Sequence, residues 1–129
     1  MRICIFGAGA IGGHLAAKLA AAGHEVSAVA RGANLDALRA NGIELRTVAG
    51  PAGGHVGPDP RTVSARVRAS DRPVELGAQD VVFVTTKATA LPALAVSAAA
   101  LSGPHTAFVF VQNGIPWWYA QGLAPPRPR

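Results

Sequence analysis

The chain has 129 residues, of which 50% are hydrophobic and 15% are charged, and its formal net charge is +5. This length suits one domain and is short for a two-domain enzyme, and the apolar content, mainly Ala, Val, Leu and Ile, is typical of a buried parallel sheet covered by helices. The single cysteine, Cys4, excludes a disulfide or a cysteine metal site within one chain, and its apolar neighbours indicate a small core residue.

The net charge of +5 is typical of a protein with an anionic partner. However, the arginines are scattered, and the aromatic residues are not interleaved with them as stacking platforms would be. The sequence therefore argues against nucleic-acid binding, since a domain that binds a multiply phosphorylated nucleotide accounts for the sign of the charge equally well. The histidines lack metal-ligand spacing, and we assign neither a metal nor a catalytic role to them: His14, His24, His55 and His105.

The N-terminus resembles a signal peptide in outline, because Arg2 precedes an apolar stretch and small residues lie near Ala20. Four glycines, at positions 7, 9, 12 and 13, interrupt this stretch, and Lys18 follows them. We therefore predict neither a secretory segment nor a membrane span, and we expect a cytoplasmic protein.

The first 30 residues predict one compact βαβ unit. Ile3 to Phe6 is a short β-branched and aromatic run that ends in glycines. Ala10 to Ala22 has apolar residues at spacing four, which predicts a helix, and Gly23 ends it where a left-handed cap is wanted. Glu25 to Ala30 supplies the second strand.

The same alternation continues along the chain. We predict helices around Asn34 to Ala40 and at Leu91 to Leu101, and strands at Ile43 to Thr47, Val63 to Val67, Asp80 to Thr85 and Thr106 to Val111. The Gly- and Pro-rich stretch from Val48 to Pro60 indicates a surface loop.

Two kinds of strand are distinguished by their patterns. Val63 to Val67 alternates apolar and polar residues, as an edge strand does, whereas Asp80 to Thr85 and Thr106 to Val111 contain the apolar runs of buried strands. Strands that alternate with helices imply a Rossmann-type, doubly wound and mostly parallel sheet with helices on both faces. We expect this domain to cover residues 1–122, with Leu123 to Arg129 as a Pro- and Arg-rich tail or truncated linker.

A glycine-rich motif lies between the first predicted strand and helix. It reads Gly7-Ala8-Gly9-Ala10-Ile11-Gly12 and matches G-x-G-x-x-G. Gly7 permits a tight turn, Gly9 lets the backbone approach a pyrophosphate, and Gly12 lets the helix pack close to the sheet. The free N–H groups at the start of the helix then face the phosphates. A turn that merely uses glycine is the plain alternative.

Arg31 follows the second strand, at the position where NAD-binding units carry an Asp or Glu that binds the ribose 2'-hydroxyl. A carboxylate would repel a 2'-phosphate, whereas a guanidinium pairs with it bidentately. The sequence therefore favours NADP over NAD, although a solvated arginine at a strand end is the alternative.

Five segments together resemble the ketopantoate reductase family. They are Ile5 to Gly13, Gly23 to Val26, Ala30 to Gly32, the lysine motif Val84-Thr85-Thr86-Lys87-Ala88, and the loop Gln112-Asn113-Gly114-Ile115-Pro116-Trp117-Trp118. The resemblance extends to about Gly122. The glycine motif is common to many dehydrogenases, but the lysine motif and the Gln-Asn-Gly loop at this spacing are much more specific.

The resemblance implies that Lys87 and Asn113 lie beside the nicotinamide ribose, with both also near the substrate. From the residues alone, each follows a predicted buried strand, where open α/β sheets bind ligands. A solvated lysine and a turn-forming Asn-Gly are the alternatives. Trp117 and Trp118 either cover the cofactor cleft or pack against other apolar groups.

The resemblance further implies NADPH-dependent reduction of ketopantoate, a small 2-keto acid, to pantoate on the way to coenzyme A. The family's catalytic lysine and a substrate-binding glutamate belong to a helical C-terminal domain, and no residue here matches them. We therefore expect this chain to hold the cofactor without the proton donor. Another 6-phosphogluconate-dehydrogenase-like oxidoreductase and a non-catalytic NADP-binding module stay open, as does a homodimer.

Overall fold

The computed structural model describes residues 1–46 and 62–114 of the chain. In chain order the elements are β1 (Arg2–Phe6), α1 (Ala10–Ala21), β2 (Glu25–Val29), α2 (Gly32–Asn41), β3 (Ile43–Arg46), β4 (Thr62–Ala65), β5 (Arg68–Ser70), β6 (Val81–Val84), α3 (Leu91–Leu101) and β7 (Ala107–Phe110). Two short 3-10 turns, Pro73–Glu75 and Ala88–Ala90, precede β6 and α3.

Five parallel strands form the main sheet, in the spatial order β5-β2-β1-β6-β7. From β1 the chain winds outwards through β2 to β5, and then returns to the other side of β1 to form β6 and β7. The direction of winding therefore reverses between β1 and β6, which is the point where open α/β sheets bind ligands. This order confirms the predicted Rossmann-type sheet.

Helices cover both faces of the sheet, as predicted. On one face α1 and α2 pack against residues such as Ile5, Val26 and Ala28. On the other face α3 packs, through Leu94 and Leu101, against side chains of β1 and β6. Each central strand therefore contributes alternate side chains to two separate cores, which explains why their sequences are continuously apolar.

The edge strand predicted at Val63 to Val67 is present, but it does not belong to the main sheet. The strand is β4, and it pairs antiparallel with β3 in a separate two-stranded sheet, with Ile43 opposite Ala65. Apolar side chains of this hairpin, including Leu45 and Val63, pack against the α1 side of the core. The hairpin thus covers a helix rather than extending the main sheet.

The strand beside β2 is β5, which the sequence pattern does not predict. Only three residues long, β5 starts with an exposed arginine and buries Ala69 and Ser70. Three residues are too few to show an apolar periodicity. The strand is identified by its hydrogen bonds to β2 and not by its side chains.

The prediction that Thr106 to Val111 is a buried strand was wrong. Within the described part of the chain, β7 is the edge of the main sheet. Its Phe108 and Phe110 pack towards α3, whereas Val109 is 39% exposed. The apolar run is real, but no described element covers its second face.

The remaining local predictions hold to within a few residues. Gly23 follows α1 with φ of +86°, and its N–H donates to the carbonyl of Ala20 at 3.0 Å.

The predicted loop Val48 to Pro60 and the tail Leu123 to Arg129 lie outside the described residues, as do His55, Trp117 and Trp118. None of the helices seen in residues 1–46 and 62–114 has the length and apolar character needed to cross a membrane.

Cys4 lies in β1, at the centre of the sheet, and is fully buried. Burial raises the pKa of its thiol to about 11, because the thiolate would lose its hydration there. The predicted core role of this residue is confirmed. At neutral pH the thiol is protonated.

Gly12 and Gly13 offer a matched test of how closely α1 packs on the sheet. A Cβ on Gly12 would overlap the carbonyl oxygen of Gly7 and lie 2.8 Å from Cγ2 of Ile5, whereas one on Gly13 meets nothing within 4 Å. We expect Gly12→Ala to destabilise the protein by about 1–3 kcal/mol. Gly13→Ala should stabilise it by about 0.5–1 kcal/mol. Urea unfolding followed by circular dichroism measures both, and equal effects would contradict the close packing.

Candidate functional site

The glycine-rich turn connects the carboxyl end of β1 to α1. Gly7 has φ of +105°, and its N–H donates to the carbonyl of Val29 at 3.1 Å. The N–H of Gly9 donates to the carbonyl of Gly7 at 2.8 Å. No acidic residue lies in the first turn of α1, so the positive end of its dipole is not neutralised by a neighbouring carboxylate of its own helix.

The carboxyl end of β6 lies directly against this turn. The hydroxyl of Thr85 donates to the carbonyl of Gly7 at 2.7 Å. A Cβ on Gly7 would lie 2.5 Å from Cγ2 of Thr86, so both the backbone conformation and the available space require glycine there. The turn is therefore clamped between β2 on one side and β6 on the other.

Gly9 differs from the other two glycines of the motif. Its φ is −78°, which any residue adopts, and a Cβ built on it meets nothing within 4 Å. Neither strain nor crowding among the described residues requires glycine at this position. The open space lies on the outer side of the turn, where Gly9 itself is exposed.

Asn34, which is not among the site residues predicted from the sequence, holds the turn from a third side. It lies in the first turn of α2, and its Nδ2 donates to the carbonyl of Ala8 at 2.7 Å. The bond ties the start of α2 to the glycine-rich turn across 26 residues of sequence. An asparagine three residues after Arg31 is a weak sequence signal, because asparagine is common at helix starts, where it caps backbone N–H groups of its own helix.

A cleft of about 590 Å³ opens at this edge of the sheet. It brings together most of the residues predicted from the sequence, because the glycine-rich turn, Arg31 and Lys87 all line it. Other lining residues include Asn34, Thr85 and Thr86. Gly12 is buried beneath the turn and supports the cleft from below. The side chains of Arg31 and Lys87 are exposed at its rim.

Thr86 carries an unusual hydroxyl. Its Oγ1 is buried and has no hydrogen-bond partner among the described residues, although Thr86 lines the cleft. Buried polar groups are nearly always hydrogen-bonded in proteins. A ligand with polar atoms at this position would satisfy the hydroxyl.

Asn113 lies beside this cleft rather than within it. It lines a neighbouring depression of about 400 Å³ together with Phe110, Val111 and Gln112. Ile11, which is 59% exposed, borders both the cleft and the depression. The structure thus brings Asn113 to the same edge of the sheet as Lys87, with Ile11 between the two concavities.

A third concavity, of about 610 Å³, lies between α3 and β7. Its lining consists of apolar residues, among them Leu91, Leu94, Phe108 and Phe110. It offers no charged or amide side chain to a phosphate, and so it is not the binding site that the glycine-rich turn indicates.

The strand order, the turn at its reversal point and the helices on both faces define a Rossmann-type domain, the class of fold that binds dinucleotides. The family model for ketopantoate reductase PanE/ApbA matches residues 3–116. The chain belongs to this family, and the family resemblance of the sequence is confirmed.

Curated and solved relatives agree with this assignment. A 2-dehydropantoate 2-reductase of Mesorhizobium japonicum is 48% identical over 127 residues, which are 98% of this chain and 36% of that protein. The structure of a candidate ketopantoate reductase from Ralstonia solanacearum MolK2 matches with a TM-score of 0.76 and 45% identity, over 91% of this chain and 33% of that one.

A ketopantoate reductase from Ralstonia eutropha JMP134 has a TM-score of 0.73 and 30% identity, over 88% of this chain and 35% of that one. The chain therefore spans about a third of the length of these relatives.

Asn34→Ala tests whether the bond to Ala8 stabilises the turn. We expect it to lower the free energy of unfolding by about 0.5–1.5 kcal/mol relative to Asn41→Ala. Asn41, at the other end of α2, makes no side-chain hydrogen bond within the described chain, and both variants share the higher helix propensity of alanine. Urea denaturation gives the difference, and a value near zero would show that the bond to Ala8 contributes nothing.

Proposed function

We propose that this chain is the NADPH-binding part of a cytoplasmic 2-dehydropantoate 2-reductase, which reduces ketopantoate to pantoate. One observation carries the proposal: the glycine-rich turn, Arg31 and Lys87 line a single cleft at the reversal point of the sheet. In the proposed arrangement the dinucleotide lies across this edge, with its adenosine end near β2 and its nicotinamide end near β6.

The turn is proposed to hold the pyrophosphate. The space beside Gly9 is open, and the first N–H groups of α1 lie next to it. Together with the positive end of the helix dipole, these donors favour an anionic group. The unsatisfied hydroxyl of Thr86, which lies against the turn and lines the same cleft, is a further polar group for a ligand that fills the cleft.

Arg31 is proposed to select NADP. It stands between β2 and α2 as the N-cap residue of α2, and its side chain is exposed beside the cleft. No acidic residue lies in the first turn of α2 to take the role of the ribose-binding carboxylate. A guanidinium at this position pairs with a 2'-phosphate through two hydrogen bonds and stacks on the adenine.

Lys87 and Asn113 are proposed to serve the nicotinamide end and the 2-keto acid. Lys87 follows β6 and lines the cleft, while Asn113 follows β7 on the far side of Ile11. The ammonium group of Lys87 donates to ribose hydroxyls or attracts the substrate carboxylate, and the amide of Asn113 offers both a donor and an acceptor. NADPH, when bound, supplies the hydride that reduces the ketone carbon.

Residues 1–122 are proposed as the nucleotide-binding domain of the whole protein. The acid that protonates the developing alkoxide, and most of the substrate pocket, are proposed to belong to a helical C-terminal domain, as in the family. This division assigns binding and orientation of the cofactor to the present residues.

The experiment that tests the proposal is titration of the chain with NADPH and NADH. We expect NADPH to bind more tightly, and Arg31→Asp to abolish the preference, because losing a charge-assisted contact costs about 1.5–3 kcal/mol and the carboxylate adds repulsion. Arg46→Asp is the control, since Arg46 lies in β3 at an exposed site and its replacement changes the net charge equally. Equal affinities of the unmutated chain for both nucleotides would contradict the proposed role of Arg31 in selecting NADP.

Gly9→Val tests the proposed pyrophosphate position. The side chain would extend into the open space beside the turn, so we expect nucleotide binding to be lost while the fold is retained. Gly9→Ala, which adds a single methyl group, should weaken binding less. Circular dichroism reports the fold and calorimetry the binding, and unchanged affinity in both variants would mean that the pyrophosphate lies elsewhere.

A further inference from the structure

A side-chain hydrogen bond links the chain just beyond β6 to the chain just beyond β7. The Nε2 of Gln112 donates to the main-chain carbonyl of Thr86 at 2.8 Å, in a partly buried position. The two residues are 26 positions apart in sequence, and each directly precedes a residue proposed to serve the nicotinamide end, Asn113 and Lys87.

The bond takes the place of a backbone contact where the sheet ends. The last backbone hydrogen bond between β6 and β7 runs from the N–H of Val111 to the carbonyl of Val84 at 2.9 Å. On the other side of β6, the N–H of Thr85 still donates to the carbonyl of Phe6 in β1. Beyond this point the strands separate, and Gln112 supplies from its side chain the donor that the backbone of β7 no longer offers.

This bond also orients the backbone of Lys87. The carbonyl of Thr86 and the N–H of Lys87 belong to one trans peptide unit, in which the two groups point in opposite directions. Because the carbonyl is directed towards Gln112 on the β7 side, the N–H of Lys87 is directed towards β1 and the glycine-rich turn. After Lys87, its own carbonyl accepts from the N–H of Ala90 at 2.9 Å, so the residue is fixed on both sides.

We propose that Gln112 is a positioning residue for the nicotinamide end of the cofactor, acting through its hydrogen bond to Thr86. The bond sets the separation between the Lys87 backbone and the Asn113 loop, which lie on either side of Ile11. The glycine-rich turn, which with Arg31 is proposed to bind the adenosine end and the pyrophosphate, is held by hydrogen bonds that do not involve Gln112. This inference rests on the proposed function, since it assumes that the cleft holds NADPH.

The test compares two ligands on the same variants. NADPH carries both ends of the cofactor, whereas adenosine 2',5'-bisphosphate carries only the adenosine end and its phosphates. Gln112→Glu keeps the shape but lacks the donor at neutral pH, and Gln112→Met lacks it without adding charge. Ser102→Ala is the control, because it also removes a side-chain bond of 2.8 Å to a main-chain carbonyl, at the far end of α3.

We expect both Gln112 variants to raise the Kd for NADPH about three- to tenfold while changing the Kd for the bisphosphate less than twofold. The nicotinamide fluorescence of bound NADPH should also change in these variants. Ser102→Ala should change neither of the two Kd values nor the fluorescence. Equal losses for both ligands would show a merely structural role and overturn the inference, as would no loss for either. If the unmutated chain binds neither ligand, the proposed function is contradicted as well. If the unmutated chain binds both ligands tightly but the Gln112 variants change both Kd values equally, only the role of Gln112 is contradicted.

Discussion

The close approach of α1 to the carboxyl ends of β1 and β6 is the contact on which the cleft depends. Gly12 makes this approach feasible, because it leaves room for the carbonyl of Gly7 and the hydroxyl of Thr85 beneath the helix. Thr85 in turn bonds to Gly7 and thereby clamps the turn against β6. The helix start, the turn and the end of β6 are thus one packed unit, and the open space beside Gly9 lies on its outer side.

Features fixed by local chemistry are the ones that the sequence predicts well. The glycine-rich turn, α1 and the cap at Gly23 follow from glycines placed within one strand-turn-helix segment. The grouping of Arg31 and Lys87 in one cleft needs one further rule, that the carboxyl ends of parallel strands share an edge. Residue types at strand ends are therefore enough to predict the outline of the site.

Features that depend on distant partners were missed or misassigned. The strand β5 is defined by its hydrogen bonds to β2. The patterns of β3 and β4 predict two strands, but they predict neither the pairing of these strands with each other nor their packing on α1. Asn34 and Gln112 belong to the site only because each reaches a main-chain carbonyl 26 residues away. No spacing rule in a single sequence encodes such contacts, since either side chain satisfies local needs equally well.

Because Cys4 is buried, its thiol can serve as a natural probe of how often the main sheet opens to solvent. It is the single thiol of the sequence, and it lies in β1 between β2 and β6. A thiol reagent reaches it only when β1 is uncovered, because movements at the rim of the cleft leave the centre of the sheet closed. The rate at which the unmodified chain is labelled therefore measures how often its innermost strand becomes accessible, with no engineered cysteine required.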